Sequence, residues 1–226
     1  MRRRSTSLLV LAGLALCALA VGATAKPMLR PNPADDPALI SKKLDPNRYD
    51  GADRCVDREP RGMRKLIRWM KRNTKRNTPY GTIRCDGGVH GTGRALDWML
   101  DARRKGEKRK AKRVINTWLA EDRKGRRNAL ARRMGVQLII YNCRWWQAGD
   151  RGWSPYSACD GRNPDPTQGH IDHIHIELTK PAARLRTSYW RYASPGGSGG
   201  GGGGGGIGTR ATVGEHPPLH PPQPGP

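Results

Sequence analysis

Acidic residues are scarce in this chain: 19 Asp and Glu stand against 42 Lys and Arg in 226 residues, a formal net charge of +23. So lopsided a balance implies an anionic partner or surface and does not by itself choose between nucleic acid and a carboxylate- and phosphate-rich cell wall. The C-x-x-C spacing of structural zinc ribbons is absent, which argues against a cysteine zinc site. No internal repeat is visible, and strands and helices do not alternate regularly, which excludes a solenoid and a doubly wound parallel sheet. Long apolar runs are missing too. The one candidate, Leu8 to Val21, is short for a membrane span and ends in Gly and small residues.

That run has another explanation. Arg2, Arg3 and Arg4 form a basic leader, Leu8 to Val21 an apolar core, and Ala23-Thr24-Ala25 a small-residue cleavage site, so residues 1–25 read as a secretory signal. Cys17 follows Leu16, which is too bulky for a lipoprotein signal. The mature chain would begin near Lys26, carry 39 basic against 19 acidic residues (+20), and be extracellular or attached to the cell wall. Four cysteines then remain: Cys55, Cys85, Cys143 and Cys159. In an oxidising compartment an even number predicts two disulfides, with three pairings allowed. Cys55–Cys85 and Cys143–Cys159 is the favoured set, because each closes a loop within one half of the domain and contributes roughly 3 kcal/mol by loop entropy.

Residues 26–46 are rich in Pro and Asp and read as an extended leader. Residues 47–193 hold enough apolar and aromatic content for one domain, and 194–226, a Gly run followed by Pro-rich sequence, reads as a disordered tail. Within the domain, Met63, Leu66, Ile67 and Met70 predict a helix after Pro60, Glu107–Ala120 a second and Asn128–Met134 a third, closed by Gly135. Strands are predicted at Tyr80–Cys85, Ala95–Leu100, Val136–Tyr141 and the His-rich segment ending at Leu178, and Leu185–Tyr192 closes the domain. The class is α+β with a small, largely antiparallel sheet. Positive charge concentrates at Arg103–Arg113 and Arg123–Arg133, the segments expected to meet an anionic wall.

The chemistry concentrates elsewhere. In Gly169-His170-Ile171-Asp172-His173-Ile174-His175-Ile176-Glu177-Leu178, apolar residues alternate with His173, His175 and Glu177, the period of a half-buried strand. Three of the chain's six histidines lie here, and two imidazoles on one strand face beside a carboxylate form a plausible metal or catalytic arrangement. A fourth, His90, precedes Asp97 by seven positions. Folding could assemble the two clusters into one metallohydrolase site.

His90-x-x-Gly93-x-Ala95-x-Asp97 followed by Asp172-His173-Ile174-His175 resembles the zinc D-Ala-D-Ala carboxypeptidase superfamily, of Hedgehog/DD-peptidase fold. With Arg84, Ala129-x-Ala131-Arg132-Arg133-x-Gly135 and Gly152-Trp153 added, the chain from Tyr49 to Trp190 is similar to a domain of exported actinobacterial proteins. The resemblance implies zinc on His90, Asp97 and His175, Asp172 as general base, His173 in the position of the first histidine of a His-x-His form, and Arg84 as the group that stabilises the oxyanion. It implies a secreted peptidase acting on peptidoglycan stem peptides, as a carboxypeptidase or an endopeptidase. Gly88 stands where relatives carry Ser, and the last motif lacks the Glu-x-Trp-His form of the carboxypeptidases, which leaves D-Ala-D-Ala specificity open. A catalytically inactive, wall-binding relative is the alternative. A His-metal finger nuclease is a third reading, but it needs a downstream Asn and His, and after Leu178 there is no Asn and the only His residues are His216 and His220 in the Pro-rich tail.

Overall fold

Six short strands pair in the order β1-β2-β6-β3-β4-β5, every pairing antiparallel. They are β1 (Tyr80–Gly81), β2 (Ala95–Met99), β3 (Val136–Tyr141), β4 (Arg144–Gln147), β5 (Ser154–Pro155) and β6 (His173–Leu178). The helices are α1 (Pro37–Ile40), α2 (Arg61–Thr74), α3 (Lys105–Leu119), α4 (Ala129–Met134), α5 (Lys180–Ala183) and α6 (Ser188–Tyr192). The computed structural model describes residues 32–192, apart from 86, 87 and 162. The expected signal at 1–25 and the tail at 194–226 lie outside the described residues. Among the described residues no helix is long and apolar enough to cross a membrane. Both disulfides form as the spacing favoured, Cys55–Cys85 and Cys143–Cys159.

The last strand in the chain lies in the middle of the sheet, between β2 and β3. Alternation along β6 separates two faces. Ile174, Ile176 and Leu178 enter a core shared with Leu96 and Trp98 of β2, Met63, Leu66 and Met70 of α2, and Val114 and Trp118 of α3. Trp69 and Trp118 stack there with ring centroids 5.3 Å apart. On the other face Leu138, Ile140 and Tyr156 form a small second cluster. Helices cover one face, which leaves the other to the histidines.

Several expectations need correction. Of the strand expected over Tyr80–Cys85 only Tyr80 and Gly81 pair, opposite Trp98 and Asp97. Strands β4 and β5 were not foreseen from the sequence. The β3–β4 turn at Asn142-Cys143 has both residues at positive φ (51° and 62°), the conformation of a tight hairpin turn, but without the Gly that advertises one. Within the stretch expected to be an extended leader, Pro33–Asp35 and Pro37–Ile40 form short helical turns, with Ala34, Leu39 and Ile40 buried.

The second basic run does not face outward as a block. Arg126 donates to the carbonyls of Ile40 and Lys42, Arg132 donates to the carbonyl of Asp45 at 2.9 Å, and Arg133 is fully buried. These arginines fasten residues 40–45 to the domain. Asp122 anchors the arrangement: it accepts from the Lys124 and Arg126 amides and from the Arg126 guanidinium at 2.8 Å. Burial alone would raise its carboxyl pKa, but these hydrogen bonds outweigh burial and hold it below the ordinary value. A depressed folded pKa stabilises the fold above the unfolded value of about 3.9 and loses that stabilisation as pH falls through the folded one. Asp122→Asn is therefore expected to cost about 2 kcal/mol at pH 7. Denaturant titrations should show that gap closing below about pH 4, and a gap constant with pH would contradict the account.

Candidate metal centre

Register builds the site. In antiparallel pairing directly opposed residues share a face, and Asp97 lies opposite His175 while Met99 lies opposite His173. His90 comes from the 3₁₀ turn Val89–Thr92, which ends on Gly93 at φ 65°; a Cβ there would approach Pro60 Cδ to 2.7 Å. The turn is pinned by the Val56 amide donating to the Gly91 carbonyl at 2.8 Å, next to the Cys55–Cys85 bridge. The second bridge serves the other half of the site. The Cys143 amide donates to the Gly169 carbonyl, and a Cβ on Gly169 would lie 2.9 Å from Cys159 Sγ, so the loop leading into His170–Asp172 packs directly on the disulfide.

His90, Asp97 and His175 are all buried and each offers a ligand atom, all within 4.8 Å of one another. His90 Nε2 lies 3.2 Å from His175 Nδ1 and 3.3 Å from Asp97 Oδ2. The far nitrogens are occupied. His90 Nδ1 donates to the Thr82 carbonyl at 2.6 Å, and His175 Nε2 lies 3.1 Å from Glu177 Oε1. Such contacts fix which nitrogen carries the proton and turn the other toward the centre. Two imidazole nitrogens and a carboxylate oxygen, with their outer partners in place, could hold a metal ion and leave a fourth position open.

The electrostatics agree with that donor set. Burial works against a charged His175, but hydrogen bonds to Asp97 and Glu177 outweigh it and push its pKa up to about 9. Burial would likewise raise Asp97, yet His90 and His175 hold its carboxyl well below the usual range. Asp97 and Glu177 thus favour positive charge at the His175 ring, which a proton or a bound cation can supply.

A second tier surrounds the three. His173 Nδ1 lies 2.6 Å from Asp172 Oδ1, and its Nε2 lies 3.5 Å from Asp97 Oδ1. Asp172 also accepts from Thr167 Oγ1 at 2.9 Å and remains partly exposed at the start of β6. Its carboxyl lies below the ordinary value: burial raises it, and the hydrogen bonds from His173 and Thr167 together with the charge of His173 more than reverse that. His170, at φ 50°, packs against His173, His175 and Tyr156 with ring centroids 4.7 to 5.4 Å apart. Arg84 Nη1 lies 2.6 Å from Asp97 Oδ2.

All six residues singled out from the sequence (Arg84, His90, Asp97, Asp172, His173 and His175) thus gather on one face of the sheet. Glu177 was noted only as the carboxylate beside the two rings, and Thr82 and Thr167 were given no role. The alternation that aligned His173 and His175 also placed Glu177 on their face, whereas a Thr82 carbonyl and a Thr167 hydroxyl carry no sequence signal. Glu177 is held in turn by Gln137 Nε2 at 3.2 Å. Glu177→Gln is expected to weaken metal affinity about 10–100-fold, read by competition with a chromogenic chelator; unchanged affinity would make Glu177 a packing residue.

No curated protein and no solved structure is significantly similar to the chain. A family model described as "VldE, C-terminal domain" matches residues 55–171, a little over half of the 226. The matched span runs from the first disulfide cysteine past the second bridge, includes Arg84, His90 and Asp97, and ends one residue before Asp172. The chain belongs to the family of the VldE C-terminal domain.

Proposed function

We propose that this domain is an exported zinc peptidase of Hedgehog/DD-peptidase type, cleaving peptidoglycan stem peptides as a carboxypeptidase or endopeptidase. The observation that carries the reading is the convergence of three buried donors, His90, Asp97 and His175, with Asp172 and Arg84 at the same sheet face. Two disulfides support folding in an oxidising compartment.

His90, Asp97 and His175 would hold the ion, with Thr82 and Glu177 keeping the two rings aimed. Bound there, zinc supplies the Lewis acidity that makes water a nucleophile near neutral pH. Asp172, oriented by Thr167 and paired with His173, accepts the proton that water loses as it attacks the amide carbon. Arg84, already beside Asp97, neutralises charge developing on the carbonyl oxygen. Elemental analysis of the purified protein combined with muropeptide profiling of digested peptidoglycan tests the proposal. One zinc per chain with released stem peptides is the expected outcome; neither zinc nor product would overturn it.

One contact favours a second reading, a catalytically inactive wall-binding relative. Arg84 supplies Asp97 with a cation of its own, so the fold can balance that carboxylate internally. Binding to walls without stoichiometric metal would select this reading.

A further inference from the structure

Five cations of α3, Lys105, Lys108, Arg109, Lys112 and Arg113, lie along its outer side and, with Asn116, enclose a shallow depression of about 430 Å³. Their spacing repeats at three and four residues, so like charges are neighbours on the helix, an arrangement costing a few tenths of a kcal/mol per pair unless something neutralises it. Nothing described does. Among the described residues no carboxylate lies within ion-pair distance of any of the five, and the only acid of α3, Glu107, pairs with Arg76 at 2.7 Å and with Arg104 at 3.5 Å. The opposite side of α3 is spent on the core through Ala111, Val114, Ile115 and Trp118.

Helix α2 is also basic but partly engaged: Arg64 donates to the Glu59 carbonyl, and Lys71 lies over the Tyr80 ring at 5.8 Å. Placement matters as much as charge. Helix α3 packs on the apolar face of the sheet, and the histidines occupy the other, so a ligand along α3 leaves the metal centre open.

We infer that the outer stripe of α3 is a docking surface for a linear phosphodiester polymer of the cell wall, of the poly(glycerol phosphate) kind. From Lys105 to Arg113 the stripe is about 12 Å long at 1.5 Å per residue, enough for two or three successive phosphates of an extended polymer whose repeat is roughly 7 Å. The stripe offers no aromatic ring on which bases could stack and no apolar anchor for a bilayer. The secretory signal expected at residues 1–25 would export the chain, so the polyanions it meets are those of the cell exterior. This inference is independent of the peptidase reading.

The test compares three full-length proteins for binding to purified poly(glycerol phosphate) over a range of salt. They are the wild type, a variant with the five α3 cations changed to Gln, and a charge-matched control with Arg61, Lys65, Arg68, Lys71 and Arg72 of α2 changed to Gln. Counterion release contributes roughly 0.7 to the salt slope per neutralised phosphate on a single-stranded polyanion. With two or three phosphates neutralised along the stripe, the α3 variant should lose more than tenfold in affinity and about 1.5 to 2 in slope, with the α2 control staying within about threefold of wild type. Thermal melts confirm folding, and unchanged zinc content in the α3 variant separates this result from any failure of the metal centre. Equal losses in both variants would reduce the effect to net charge and overturn the proposal. So would wild type that ignores poly(glycerol phosphate) yet binds double-stranded DNA or anionic vesicles.

Discussion

Replacing either His90 or His175 with Ala is expected to abolish stoichiometric zinc and all release of peptide from peptidoglycan while both disulfides still form. Each ring contributes one of three donors, and the three are too closely set for a neighbour to substitute without moving β2 or β6. His173, its Nδ1 held by Asp172 at 2.6 Å, keeps Nε2 3.5 Å from Asp97 and is not one of the three mutually close donors. A ligand that binds only the folded state stabilises it by about 4 kcal/mol when present at a thousand times its Kd. For a domain of this size that amounts to roughly 8–16 °C in Tm. A chelator should therefore lower the melting temperature of the wild type by that amount and leave His175→Ala where it was. The assignment fails if both variants keep one tightly bound zinc.

Asp172→Asn is expected to keep zinc and fold and to lose 10²–10⁴ in hydrolysis, the range for removal of a general base. Thr167 can still donate to the remaining oxygen, so the loop should hold its place; what disappears is the proton acceptor. His173→Ala should also retain zinc, with a smaller loss, because His173 lies outside the donor group, its Nε2 3.5 Å from Asp97. Two other patterns are informative. Loss of zinc in His173→Ala with full activity in Asp172→Asn would make His173 and His175 joint ligands, as their shared strand face allows. No peptide released by any of the proteins, wild type included, would leave wall binding as the function.

Part of this was legible in the residues alone. A strand turns alternate side chains to opposite faces whatever else the chain does, so the pattern from His173 to Leu178 determined which side chains meet the core and which meet the site. Cysteine number and spacing pointed to both bridges, and the apolar repeat of α2 needed no partner to be recognised. Tertiary structure decided the rest. Antiparallel register set Asp97 against His175, 78 positions away, and a Gly-flanked turn carried His90 to both. The outer partners, Thr82 through its backbone and Thr167 through a hydroxyl, belong to residue types too common to stand out. Charge was the least legible feature. Arg126 and Arg132 look like any surface arginine until the chain around Ile40 to Asp45 brings its carbonyls to them. Composition counts cations, whereas only packing determines whether a carbonyl, a carboxylate or solvent receives each one.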